Sequence, residues 1–185
     1  MHVLIRHDRM YTHKVLQVNY TTYDMRRDQD ILNPGTSRCN IMVLAQPDTD
    51  KALGRQHFLY GRVLGIHHVN VIYNGPGMVD YNPRRFNFLW VRWYDLEDPA
   101  IARTKQSKAP LYHLDRLVFP PLNAKDAIGF LDPANVLRGC HIIPAFVKGK
   151  RFLEGQPGLS KCAQDVGDWK GYYVSRYDFM IKDLS

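Results

Sequence analysis

The chain has 185 residues, 45% of them hydrophobic and 23% charged, which excludes a wholly disordered protein and indicates one domain with a buried core. Its net charge of +7 favours partners that carry phosphates or other anions. Three widely spaced cysteines do not form a disulfide framework, and no apolar run approaches the roughly 20 residues of a membrane span. We therefore expect an intracellular protein with no membrane partner.

The first third of the chain predicts short strands after a loosely held lead-in. The polar and basic stretch Met1–His13 is typical of such a lead-in, so we divide the chain into a lead-in over 1–14, one β-rich domain over 15–180 and a tail over 181–185. The following elements are a strand over Val15–Tyr23, a turn at Asn33–Gly35, a strand over Ile41–Leu44 and a polar loop over Pro47–Gly54.

The two longest β runs are Phe58–Tyr73 and Phe86–Asp95, and the turn Asn74–Gly77 separates them. The first run is too long for one straight strand, so Gly65 predicts a bend or bulge. Both faces of the second run are apolar, which indicates a central strand packed on each side, or packed on one side and binding on the other. We predict that Phe58–His68 and Phe86–Tyr94 are adjacent antiparallel core strands.

The C-terminal half predicts fewer and shorter elements. These are a strand over Leu111–Phe119, a turn or helix start at Asp132–Pro133, and a last core strand over Gly139–Val147 in which Pro144 indicates an edge. The spacing of the aromatic residues after Trp169 fits either a helix or a strand. Short strands joined by turns, with few helices, predict a mainly β fold, a small barrel with peripheral short helices and long loops.

Motifs of self-contained catalysis are missing from the sequence. It has no GxSxG, GxxxxGK[ST], GxGxxG or HExxH pattern, and we expect no catalytic residue, no bound metal and no cofactor. His67 and His68 are adjacent, so on a strand they point to opposite faces and cannot share a metal. One alternative stays open: a degenerate metal-dependent nuclease or hydrolase that uses Asp80, Asp95 and His67.

Aromatic and basic residues supply the candidate binding positions. Tyr60, Trp90 and Tyr94 predict an aromatic surface that holds a methylated ammonium or, with Arg62 and Arg92, stacks on bases; the alternative is core packing, which we favour for Trp93. The predicted nucleic-acid-binding residues are Arg84, Arg85, Arg103, Lys105, Lys108, Lys148, Lys150 and Arg151.

Several segments together resemble the C-terminal region of fungal DNA-transposon proteins of the Plavaka and KDZ kind, over roughly Val15 to Met180. The matching segments are Val18–Asp24, Arg26–Asp30 with Asn33-Pro34, Tyr60–Ile66, Phe88–Tyr94, Gly129–Leu137, Arg138–Phe146, and Asp168-Trp169 with Tyr172–Val174. The chain is more loosely similar to the small barrel that ends plant CACTA-type transposase proteins and to bromo-adjacent-homology barrels, which bind nucleosomes and partner proteins.

The resemblance implies an SH3-like or bromo-adjacent-homology-like barrel that follows a transposase core. The catalytic carboxylates of such transposases belong upstream, so it implies no catalytic residue here. Our first interpretation is a non-catalytic, nuclear interaction module that binds DNA or a nucleosome. The alternatives are the degenerate nuclease and a protein–protein scaffold that needs neither the charges nor the aromatic surface.

Overall fold

The computed structural model describes residues 2–21, 26–45, 58–97, 114–153 and 155–175, and these residues form eleven strands and three short 3-10 turns. The strands are β1 (Val3–His13), β2 (Leu16–Thr21), β3 (Arg27–Leu32), β4 (Asn40–Leu44), β5 (Phe58–Tyr73), β6 (Arg84–Leu96), β7 (Leu114–Val118), β8 (Ile128–Leu131), β9 (Val136–Gly139), β10 (Ile142–Pro144) and β11 (Tyr172–Ser175). The 3-10 turns span Pro133–Asn135, Phe146–Lys148 and Asp165–Gly167.

Nine strands form one curled sheet that makes a half-barrel, with the order β10-β11-β7-β6-β5-β4-β9. Strand β1 also pairs with β5, strand β8 also pairs with β6, and β2 and β3 form a separate hairpin. The prediction of a mainly β, small-barrel fold is confirmed. A helix with the length and hydropathy to cross a membrane is absent from the described part of the chain.

Strands β5 and β6 are the long antiparallel pair that the sequence predicts, with Tyr60 opposite Tyr94 and His68 opposite Asn87. The register shifts between Val63 and Gly65, which is the predicted bulge. An extra residue there lets Val63 and Ile66 reach the same core cluster although they lie three positions apart. The bulge therefore helps the sheet to curl while one apolar face stays continuous.

Apolar clusters cover both faces of the central strands. Of the two alternatives for β6, the structure therefore shows the strand that is packed on each side. The first cluster lies beneath the β2–β3 hairpin and contains Val18, Leu32, Ile41, Val43, Val63, Ile66, Leu89, Val91 and Val136. The second lies beneath β7, β10 and β11 and contains Met42, Tyr60, Tyr94, Leu117, Phe119, Cys140, Ile142, Tyr172 and Val174. Leu89, Val91 and Trp93 of β6 thus pack in the first cluster and Tyr94 and Leu96 in the second, as strand alternation requires.

The expectation of a loosely held lead-in over residues 1–14 is wrong for Val3–His13. This segment is strand β1, which pairs with β5 from Val3 opposite Tyr73 to His13 opposite Ile66. The register shifts between Ile5 and Met10, where His7 and Asp8 have positive φ. We call β1 together with residues 67–73 and 84–88 the arm, because these outer strand halves extend away from the two clusters.

The remaining predicted elements lie mostly in the C-terminal half of the chain. The predicted strand Gly139–Val147 is divided into the end of β9, the edge strand β10, which contains Pro144 as predicted, and a 3-10 turn. Asp132 caps the turn before Pro133, as expected, by accepting a hydrogen bond from the Ala134 amide. The ambiguous tail forms strand β11 as far as Ser175. The loop over Pro47–Gly54 and the tail over 181–185 lie outside the described residues.

Candidate binding cleft

A cleft of about 500 Å³ opens between three segments, residues 34–40, 141–146 and 164–172. Strands β5 and β6 form its floor, where they place Arg62 and Tyr94, and Tyr172 of β11 lies beside them. Strand alternation on β5 and β6 directs these side chains to the second cluster, away from the β2–β3 hairpin. The cleft therefore opens above Arg92 and Asp168, two charged side chains that are fully buried.

Three charged side chains form a buried cluster at this floor, which we call the Arg–Asp–Arg cluster. Asp168 accepts a hydrogen bond from Arg62 Nη1 at 2.9 Å on one oxygen, and Arg92 Nη1 lies 2.7 Å from its other oxygen. Arg92 and Asp168 have no exposed side-chain surface, and the Arg62 side chain is 14% exposed. Two cations share one anion, so the cluster carries one excess positive charge, and Arg62 is its outermost member.

Aromatic rings surround the two guanidinium groups. The Arg92 guanidinium lies 3.8 Å and the Arg62 guanidinium 4.6 Å from the centre of the Phe119 ring. Burial alone lowers the pKa of Arg62, but the neighbouring Tyr94, Tyr172 and Asp168 raise it above its ordinary value. Arg62 therefore stays charged, and the packed rings fix its position at the floor of the cleft.

Two aromatic rings stand at the mouth of the cleft. Phe146 and Trp169 meet edge to face at 4.9 Å between ring centres, and 63% of Phe146 is exposed. Lys150 Nζ lies 6.0 Å from the centre of the Trp169 ring. Residues 149–151 pair with residues 168–170 through backbone hydrogen bonds, and Lys150 lies opposite Trp169. We call the exposed Lys150, Arg151 and Lys170 the rim, because they flank Trp169 in this pairing.

The predicted basic residues do not form one patch. Lys150 and Arg151 lie on the rim of the cleft, but Lys148 binds the Glu97 carboxylate at 2.6 Å from Nζ. Arg84 and Arg85 are exposed on the arm, at the opposite end of β6 from Glu97, up to about 40 Å away at roughly 3.3 Å per residue. Arg103, Lys105 and Lys108 lie outside the described residues.

The predicted aromatic surface of Tyr60, Trp90 and Tyr94 is not formed. Tyr60 and Tyr94 are buried, because β7 and β11 cover the face of the sheet on which they lie. The Tyr94 hydroxyl donates to Asn40 Oδ1 at 3.2 Å, and the Tyr94 ring stacks on Phe119. Trp90 is half-buried on β6, beside β8.

Trp93 packs against the first cluster, as expected, and Gly61 permits this close approach. A Cβ atom at Gly61 would collide with Val91 and would lie 3.1 Å from the Trp93 ring. The Trp93 indole therefore needs a glycine on the neighbouring strand.

The structure keeps apart the three residues of the nuclease alternative. His67 lies opposite Phe88, which is about 23 Å along β6 from Asp95 at roughly 3.3 Å per residue. Asp80 lies in the exposed connection between β5 and β6. Within the described ranges, no group of three or more His, Cys, Asp or Glu side chains is placed to hold a metal ion. Asp80, Asp95 and His67 therefore do not meet in one site.

Sequence reasoning missed Phe146 and Trp169 as the exposed ring pair and Asp168 as the shared anion. Phe146 and Phe152 flank Lys148, Lys150 and Arg151, and such a mixture of aromatic and basic residues over seven positions is a weak indication of a stacking surface for nucleic acid. Trp169 follows Asp168 directly, and this dipeptide belongs to the resembling segments. The pairing of Asp168 with Arg62 and Arg92 has no local signal, since Arg62 and Asp168 lie 106 residues apart.

Comparisons with family models, with curated proteins and with solved structures found no match for this chain.

Proposed function

We propose that this protein is a non-catalytic binding module for nucleic acid, with DNA as the first candidate, and that the cleft is its binding site. The observation that carries the proposal is the excess positive charge of the Arg–Asp–Arg cluster beneath an aromatic mouth. The exposed cations Lys150, Arg151 and Lys170 on the rim add to the same field. Phosphate groups and flat bases are the ligand features that match this combination.

The same observation disfavours a methylated ammonium as the ligand. An aromatic cage attracts a cation through the negative faces of its rings. Here Arg62 already lies against Tyr94, Phe119 and Tyr172 and would repel a second cation. The cleft is therefore better suited to an anionic group than to a methyl-lysine.

The resemblance to transposon proteins supports DNA, free or in a nucleosome, as the ligand. A module that follows a transposase core acts where the element's DNA is, so the proposal includes a nuclear location. The residues that the resemblance highlights include Trp169, which lines the cleft, and Asp168, which is buried beneath it and binds Arg62 of the cleft floor.

The test is a fluorescence-anisotropy titration of labelled single-stranded and duplex DNA at about 50 and about 200 mM salt. Replacing Lys150 and Arg151 together with Ala removes two rim cations. We expect weaker binding and a log–log salt slope reduced by about 1.8 for duplex DNA, at about 0.9 per phosphate contact. The matched control replaces Arg84 and Arg85 with Ala, which removes the same charge at the far end of β6.

Equal effects of the two double variants would show a general electrostatic attraction, and the cleft would lose its role as the binding site. Absence of binding to either DNA at the lower salt concentration would show that the nucleic-acid proposal is wrong. The protein-scaffold alternative would then take its place. The apolar groove of the arm, lined by Val3, Val71 and Phe86, would be the surface to test.

A further inference from the structure

We infer that the cleft receives an unpaired nucleobase together with its phosphate, so that the preferred ligand is single-stranded rather than duplex nucleic acid. This inference rests on the proposed function and names its substrate class. It is carried by the position of the Arg–Asp–Arg cluster: the excess charge lies at the floor of a cleft of about 500 Å³, below the mouth formed by Phe146 and Trp169.

The size of the cleft fits one unstacked nucleotide. Cavities of about 300–1,000 Å³ are the range in which proteins bury small organic ligands. A base within a duplex is stacked on both faces and shows only its edge in a groove. A duplex would therefore touch the rim cations, but its bases would not reach the rings of the mouth or the charge beneath them.

The chemistry of the lining fits the two parts of a nucleotide. Phe146 and Trp169 offer ring surface to a base, and Lys150 lies next to the Trp169 ring. Such pairs of aromatic rings and cations are the usual platform for single strands, because every base has a flat face. Arg62 at the floor supplies the charge that attracts the phosphate.

One amide in the cleft is placed to contact the edge of a bound base. Asn40 lines the cleft, and its Oδ1 accepts the Tyr94 hydroxyl, which fixes the orientation of the amide. Within the described residues its nitrogen has no hydrogen-bond partner. The Asn40 nitrogen therefore provides donors for a ligand, and a flat base with carbonyl or ring-nitrogen acceptors would satisfy them.

The experiment compares three labelled ligands of about 16 nucleotides, a length that covers a typical single-strand site. They are a thymine-rich strand, the same strand with abasic sites at its centre, and the blunt duplex of the same sequence. The abasic strand keeps every phosphate and removes only the bases. We expect the intact strand to bind at least about tenfold more tightly than the other two ligands, as one stacked base contributes about that much.

Two variants of the mouth test whether the base stacks there. Phe146→Ala removes an exposed ring, so the fold should tolerate it, and Trp169→Phe keeps a ring at the half-buried position. We expect Phe146→Ala to weaken binding of the intact strand by roughly 5- to 150-fold and Trp169→Phe to weaken it less. Phe130→Ala, which removes another exposed ring from β8, is the matched control and should leave the affinity unchanged.

A double-mutant cycle separates stacking from folding. If Phe146 contacts a base, Phe146→Ala should have almost no effect on the abasic strand, because that contact is already lost. Equal affinity for the strand, the abasic strand and the duplex would overturn the inference and leave the proposed function standing. If Phe146→Ala weakened binding of the intact and the abasic strand equally, this result would also overturn the inference. If none of the ligands binds, the proposed function fails as well.

Discussion

Arg62 and Arg92 lie directly opposite each other on the neighbouring strands β5 and β6, and their guanidinium groups share the carboxylate of Asp168. Like charges at opposed positions of a sheet destabilise it. Asp168 offsets this repulsion from a loop more than 70 residues further along the chain, between the last 3-10 turn and β11. The loop that lines one side of the cleft is thus held by ion pairs to the strands that form its floor.

The first prediction concerns the stability of this cluster. Asp168→Asn leaves two guanidinium groups without a counter-charge, and removal of one partner from a buried ion pair costs about 3–5 kcal/mol of unfolding free energy. Arg62→Met leaves Arg92 and Asp168 as a neutral pair and loses the hydrogen bonds to Asp168 and Tyr172, which costs about 1–2 kcal/mol. Urea unfolding measures both. Equal losses in the two variants would show that charge balance is not what Asp168 provides.

The second prediction separates two lysines that the sequence groups together. Lys148 binds Glu97 and is partly buried, so Lys148→Ala should lower the unfolding free energy by about 1 kcal/mol and leave the salt slope of DNA binding unchanged. Lys150 is exposed, so Lys150→Ala should change stability by less than about 0.5 kcal/mol. The same variant should reduce the log–log salt slope of single-stranded DNA binding by about 0.7, because one phosphate contact is lost. A thermal melt beside an anisotropy titration checks both; the reverse pattern would contradict the assignment of Lys150 to the rim.

Strands β5 and β6 could be predicted from the sequence, whereas strand β1 could not. Long runs of β-branched and aromatic residues around a Gly/Pro turn specify the central hairpin locally. Strand β1 has no such run, because nearly all its side chains are exposed and the backbone pairing with β5 holds it. A method based on apolar periodicity does not detect a strand of this kind.

The binding residues required long-range information. Tyr94 is an aromatic residue of the kind that stacks on bases, but β7 and β11 cover it. Those two strands follow more than 15 residues later in the chain. Phe146 has the same aromatic character and is exposed, because it lies in a 3-10 turn beyond the edge strand β10. Composition predicted the type of residue in the cleft, whereas sheet order decides which rings reach solvent.

The third prediction is a loss of stability at alkaline pH that depends on Cys140. Burial raises the pKa of Cys140 to about 12, with further contributions from Cys39 and Asp30. The folded protein therefore keeps a proton that the unfolded chain releases above about pH 8.5. Stability should be unaffected below that pH and fall by about 1.4 kcal/mol per pH unit above it, up to the folded pKa.

Urea unfolding in the presence of a reductant, between about pH 8 and about pH 10.5, measures this slope. Cys140→Ala should make the slope of unfolding free energy against pH shallower by about 1.4 kcal/mol per pH unit, because one proton is no longer released on unfolding. Cys162→Ala, at an exposed cysteine, should not change the slope. Cys39 contributes in the same direction, because burial raises its pKa too, so some slope should remain in Cys140→Ala. A slope that Cys140→Ala leaves unaltered would contradict the prediction.

The fourth prediction is that acid loosens strand β1. His13 Nε2 lies 2.6 Å from His68 Nδ1, a contact that requires a lone pair on one ring, and Tyr11 stacks on His68. Burial lowers the pKa of His68, with Arg85 and His13 adding to the effect, and burial also lowers the pKa of His67, again with His13. A lowered pKa means that the paired strand binds fewer protons than the released one. The pairing is therefore favoured above about pH 6.5 and is weakened as the pH falls through the folded pKa values.

Hydrogen exchange of the β1 amides at about pH 7.5 and about pH 5.5, corrected for the intrinsic rate, measures this release. The amides of Ile41 and Val43 in β4 are the internal control, because that strand lies in the first cluster without a histidine in its pairing. We expect β1 to lose protection at the lower pH while β4 keeps it. His68→Phe preserves the ring that stacks on Tyr11 and removes one titrating group, so β1 protection should depend less on pH in this variant, with a remainder from His67. Loss of protection in β1 and β4 together would indicate global unfolding, and an unchanged pH dependence in His68→Phe would show that His68 does not control β1.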